Sequence, residues 1–141
     1  MLISAVEFNN ASDGRFPGHV GFHATVSEIG HAVARLTIQA HHLAPNGYLH
    51  AGVVVTLADT TCGMGARGML PAGASGFTTL ELKSNHISTA RSGTIEAVAT
   101  AVHAGRTSQV WDAVVTHVDT GKTIALFRCT QAVLWKNANS S

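Results

Sequence analysis

Hydrophobic and polar residues recur with two different periods along the chain, and the switches between them divide it into elements. The first sixteen or so residues accommodate a short helix, ended by Asp13-Gly14 and Pro17-Gly18. Residues 21–28 and 31–40 read as two strands around a tight Ile29-Gly30 turn. In the second, Leu36 and Ile38 alternate with Arg35, Thr37 and Gln39, the period of a half-buried strand. Pro45-Asn46-Gly47 marks a turn. From residue 49 to 69 the period lengthens. Val53, Val54, Leu57, Ala58, Thr61 and Cys62 follow helical spacing, and Val55, Met64 and Ala66 add apolar groups on the other faces, which predicts a buried helix. Leu70-Pro71-Ala72-Gly73 ends it. Four segments rich in β-branched residues follow, over 76–88, 93–104, 107–119 and 122–135. Short connections between them favour an antiparallel meander. The pattern predicts a single α+β domain, with one curved antiparallel sheet of about six strands wrapped around the long helix.

Composition narrows the class. Across 141 residues, 45% are hydrophobic and only 12% charged, so part of the apolar excess is expected to be covered by partner subunits. A net charge of +1 points to neither a nucleic-acid footprint nor a polybasic membrane patch, and no stretch has the length of a membrane span. Cys62 and Cys129 are too few for a disulfide framework and read as buried free thiols. Residues 1–10 lack the basic-then-apolar order of a signal peptide, so a cytoplasmic location is expected. Asn10-Ala11-Ser12 and Asn139-Ser140-Ser141 match the glycosylation pattern but carry no weight without a secretory signal.

Asp59 breaks the apolar pattern as the sole carboxylate of the long helix, among Val53, Val54, Leu57, Ala58 and Cys62. An unpaired charge in such company costs several kcal/mol. It lies roughly two and a half turns in, too deep to act as a cap or dipole partner. Two readings remain: a catalytic carboxylate, or a structural one on a narrow polar stripe with Thr56, Thr60 and Thr61. At the helix start, His50-Ala51-Gly52 follows the turn. Unpaired N–H groups there, beside small residues, suit an anion or a developing oxyanion. Small residues that merely pack at a helix start give the same pattern. Ala51 and Asp59 are eight residues apart, about 12 Å along a helix. One carbonyl cannot touch both in the same chain, so a shared role requires two chains, with Asp59 of one facing the helix start of the other.

The run His50-Ala51-Gly52-Val53-Val54-Val55-Thr56-Leu57-Ala58-Asp59 resembles the His-Gly-Gly…Ala-Asp/Glu signature of hotdog-fold thioesterases. It is most similar to the phenylacetate-degradation type of the 4-hydroxybenzoyl-CoA thioesterase superfamily. The resemblance extends from Phe16-Pro17-Gly18 through Gly105-Arg106-Thr107 to the last strand. It implies a sheet wrapped around a central helix, assembly into homodimers or homotetramers, and hydrolysis of an aryl- or medium-chain acyl-CoA to free acid and CoA without metal or redox cofactor. By similarity, Asp59 is general base or nucleophile, the Ala51 N–H polarises the thioester carbonyl with Gly52 adjacent, and His50 shapes the oxyanion end. Thr79 matches a Ser/Thr that positions the water or the carboxylate. Arg67, Lys83, Arg91 and Arg106 are the candidate cations for the CoA phosphates. Two positions depart from the family: Ala51 replaces the first glycine of the signature, and Ala44 stands where Asn or Gln is frequent, leaving Asn46 in the turn as the candidate substitute. The alternative within the fold is a non-catalytic acyl-CoA-binding protein. A hydratase would need a different Asp/His signature.

Other motifs lead elsewhere. Gly63-Met64-Gly65-Ala66-Arg67-Gly68 fits the dinucleotide fingerprint but closes a helix where the fingerprint must open one, so its glycines are read as close helix packing. His41 and His42 are adjacent, facing opposite sides if on a strand, and no His-x-x-x-His or Cys-x-x-Cys spacing supports a metal site. No Gly-x-Ser-x-Gly elbow is present.

Overall fold

The computed structural model describes residues 1–137; the Asn139-Ser140-Ser141 tripeptide lies outside them. Helix α1 (Ala5–Ser12) opens on a capping box, in which Ser4 Oγ accepts the Glu7 N–H and Glu7 accepts the Ser4 N–H. Pro17 does not end that helix. It sits in the first turn of a second one, α2 (Phe16–Val20), where the missing N–H costs nothing. Gly21 closes α2 in the left-handed conformation, at φ 98°.

Strands β1 (His23–Glu28) and β2 (His31–Thr37) form the expected hairpin. The second is shorter than its hydrophobic pattern suggested. It stops at Thr37, and Ala40–His42 form a 3-10 turn. His41 and His42 are therefore not on opposite faces of a strand; their rings lie 4.2 Å apart, His41 exposed and His42 buried. The long helix α3 (Ala51–Gly68) follows, then β3 (Ala74–His86), β4 (Thr94–Ala104), β5 (Ser108–His117) and β6 (Thr123–Trp135).

All pairings in the six-stranded sheet are antiparallel, in the order β1-β2-β4-β5-β6-β3. The meander expectation holds for β4-β5-β6 and fails for β3, which pairs with β6 at the far edge. After β3, residues 87–93 return the chain past the start of α3, where the Leu49 N–H donates to Ala90 O, and into β4 beside β2. That segment is a crossover and not a hairpin turn, which the residue pattern alone does not distinguish.

The inner face of the sheet is lined with small residues. Ala32 and Ala34 of β2, and Ala97 and Ala99 of β4, are two apart along their strands; with Ala113 of β5 and Ala125 of β6 they are all buried and let α3 lie close. Leu57, Ala58, Cys62 and Met64 pack down onto them. The closest approach is at Gly65: a Cβ there would sit 2.6 Å from the buried Trp111 ring. Trp111 is held by its Nε1–H to Gln109 Oε1 at 2.7 Å, and Gln109 donates to Ala66 O at 3.2 Å. The helix glycines are thus packing glycines. Gly65→Ala is expected to destabilise the fold by about 1–3 kcal/mol in urea unfolding through overpacking, despite the roughly 1 kcal/mol gain in helix propensity. An unchanged midpoint would mean the ring has room to move.

Candidate active site

Two separate features of α3 carry chemistry. At its start, His50 is the N-cap, in extended conformation, and its Nδ1 accepts the Gly52 N–H at 2.8 Å. The ring proton therefore sits on Nε2. The His50 carbonyl accepts the Val53 N–H at 3.0 Å. The Ala51 N–H has no acceptor among the described residues, and Ala51 is exposed. The cap thus occupies the second N–H of the helix and leaves the first open. Beside it lies a cleft of roughly 520 Å³ whose walls include Phe16 and Val20 of α2, Leu43, and Val53 of α3.

Deeper along the helix, Asp59 is half-buried, and its Oδ1 is enclosed with no hydrogen-bond partner among the described residues. Burial raises its carboxyl above the ordinary value, because the charged form is desolvated. Of the polar stripe, Thr56 and Thr60 are half-buried like Asp59, and Thr61 is not part of it. Thr61 is fully buried and bonds back to Leu57 O at 2.6 Å, and Thr56 bonds back to Gly52 O at 2.8 Å. Below Asp59, Cys62 meets Cys129 of β6. The Cys62 thiol is pushed up, first by its hydrogen bond to Cys129, then by burial, with the Asp59 charge adding to the effect.

Thr79 stands on β3 opposite Gln131, and its hydroxyl donates to Gln131 Oε1 at 2.9 Å. The buried Gln131 amide in turn faces Cys129 Sγ at 3.4 Å. A chain of polar contacts therefore runs from Thr79 through Gln131 and the two thiols toward Asp59. Gln131 was not singled out in the sequence, and Cys129 was read there only as a buried free thiol; the signal for both was two inward positions, two apart, on a strand ending in Val133 and Trp135.

The other candidates are spread out. Asn46 Oδ1 accepts the Tyr48 N–H at 3.1 Å and so stabilises its own turn. Arg91 lies over the Tyr48 ring at 4.2 Å, two residues before His50. Arg106 stacks on Trp135 at 4.5 Å. Lys83 is on the sheet near Asp112 and Arg128, and Arg67 is in the last turn of α3. Within one chain, only Arg91 of the four cations is near the helix start.

An antiparallel sheet wrapped around one long helix defines the hotdog fold. The comparisons agree. Residues 46–124 match the model of the thioesterase superfamily. A 1,4-dihydroxy-2-naphthoyl-CoA hydrolase of Listeria monocytogenes is 35% identical over 114 residues, covering 81% of this chain and 91% of that protein. The proofreading thioesterase EntH of Klebsiella pneumoniae is 30% identical over 132 residues, covering 94% of this chain and 95% of that protein. The thioesterase HI1161 of Haemophilus influenzae shares the fold, with a TM-score of 0.90 at 24% identity over 99% of this chain and 97% of that one. The chain belongs to the thioesterase superfamily.

Proposed function

We propose that this protein hydrolyses an aryl- or medium-chain acyl-CoA to the free acid and CoA, with no metal or redox cofactor, at a site shared between two copies of the chain. The observation that carries the reading is Asp59: a desolvated carboxylate oxygen, without a partner among the described residues, in the middle of a buried helix. Such a group is retained at sites of function more readily than for stability. The Ala51 N–H polarises the thioester carbonyl and stabilises the oxyanion. Asp59 of the other copy activates water or attacks the carbonyl itself. Two features support pairing. The span of about 12 Å from Ala51 to Asp59 exceeds the reach of one carbonyl. In addition, β3 offers an unpaired edge with Leu80 and Leu82 exposed at 66% and 42%, a surface suited to a second copy.

The acyl group enters the apolar cleft by the helix start. The name of the Listeria relative, which specifies a naphthoyl-CoA, favours the aryl class. Arg91, which lies over Tyr48 near the helix start, is the cation proposed to meet a CoA phosphate. The test is release of free CoA thiol from a panel of benzoyl-, naphthoyl- and medium-chain acyl-CoAs. Turnover is expected, strongest with the aryl members. Tight binding of the panel without CoA release would replace this reading with the acyl-CoA-binding one.

A further inference from the structure

The start of α3 is tied to α2 through one buried histidine. His42 is 3% exposed, and both of its ring nitrogens are engaged by backbone. Nδ1 accepts the Gln39 N–H at 2.9 Å, which leaves the proton on Nε2 to donate to Val20 O at the end of α2. Gly21 lies against the ring, 3.9 Å from Cε1 to where its Cβ would be. The backbone of the same residue holds the site, because the His50 N–H donates to His42 O at 3.0 Å. Leu43 and Leu49 form a bridge, and the Ala44 N–H donates to Tyr48 O at 2.7 Å. The loop from residue 42 to residue 50 is thus closed on itself and tied to α2 through the His42 imidazole, while the Leu49 N–H bond to Ala90 O and Arg91 over Tyr48 tie its far end to the 87–93 crossover.

We infer that His42 is a positioning residue: its neutral, Nε2-protonated ring fixes the His50–Ala51 end of α3 where the thioester carbonyl is polarised, and protonation of Nδ1 releases it. This rests on the reading of the Ala51 N–H given above. A proton on Nδ1 would face the Gln39 N–H, donor against donor, and the contact that sets the turn would be lost. Burial already holds the ring below its ordinary value of 6.5, with the Val20 bond opposing and His41 assisting. The folded state therefore binds this proton less readily than the unfolded chain. The anchor is complete above 6.5 and is lost as pH falls through the lower folded value. The other titratable or charged groups lining the clefts around it are His19 of α2, His23 of β1, Arg35 of β2, His41 beside it and His50 of α3. All five are exposed, and Arg35 is paired with Glu96 of β4 at 2.7 Å.

Two measurements test this. In the first, His42→Asn keeps an acceptor for Gln39 but does not titrate, whereas His42→Ala loses both bonds. His42→Ala is expected to lower kcat by about 10–100-fold with a smaller change in KM, as misplacement of a carbonyl donor does. The acid limb of kcat/KM in the wild type is expected to show two protons, one on Asp59 and one on His42. His42→Asn should show one. The same two-proton limb in both proteins would overturn the proposal. The second measurement needs neither turnover nor a variant: an NMR titration of the wild type, following the His42 Cε1–H and the Ala51 amide together. The Ala51 amide is expected to inflect at the His42 midpoint, separately from any inflection due to His50. An amide that ignores the His42 midpoint overturns the proposal. Absence of CoA release from the whole panel would remove the hydrolase reading instead, leaving the titration to judge the anchor by itself.

Discussion

Asp59→Asn is expected to fold and to lose CoA release, with kcat lower by about 10²–10⁴-fold, the usual contribution of a positioned acid–base group. Asparagine has nearly the same shape but neither accepts a proton at neutral pH nor attacks a thioester. Because the wild-type carboxyl is raised by burial, the folded protein holds the Asp59 proton more tightly than the unfolded chain does. Ionisation therefore costs stability above the folded pKa, and the cost is absent below the ordinary value of 3.8, where both states are protonated. The substitution is accordingly expected to raise the melting temperature at pH 7–8, with the gap closing as pH is lowered. Loss of activity with a gain in stability distinguishes a functional carboxylate from a structural one. Thermal unfolding across pH, alongside the CoA-release assay, reads both. Unchanged turnover would remove Asp59 from the mechanism, and a drop in melting temperature would make it a structural group.

Ala51→Pro is expected to lower kcat by about 10²–10³-fold, the cost of removing one oxyanion donor. The position tolerates the change well. Ala51 is the first residue of α3, where proline fits the helix, and its N–H has no acceptor among the described residues. His50, at φ −69° and ψ 133°, already has the extended conformation that proline requires of the residue before it. The neighbouring bonds, Gly52 N–H to His50 Nδ1 and Val53 N–H to His50 O, do not use the lost N–H. Ala51→Gly keeps the N–H and restores the more usual signature, so it should retain wild-type turnover. Steady-state kinetics on all three proteins, with circular dichroism to confirm folding, check this. Full activity in Ala51→Pro would move the oxyanion site elsewhere.

The long helix was legible from Leu57, Ala58 and Cys62 at helical spacing, the second strand from the alternation of Leu36 and Ile38 with polar residues, and the last four strands from their runs of β-branched residues. The place of β3 was not legible. Strand pairing depends on where the chain crosses the sheet, and residues 87–93 look the same as a crossover or as a turn. Pro17 was read as a stop because proline punctuates both ends of helices, and only the capping geometry shows that it opens α2. At the site, Asp59 was visible as a lone charge in an apolar helix, and the helix start as small residues after a turn. His42 was hidden, since nothing in the order of residues separates a buried histidine tied to two backbone groups from its exposed neighbour His41.

The central claim is that Ala51 of one copy and Asp59 of another act on the same thioester. Co-refolding Asp59→Asn with Ala51→Pro tests it. If the site is shared, half of the dimers are mixed and each has one intact site, so the mixture should recover about a quarter of wild-type turnover from two inactive proteins. Turnover in the mixture no higher than that of either variant alone would contradict the shared site.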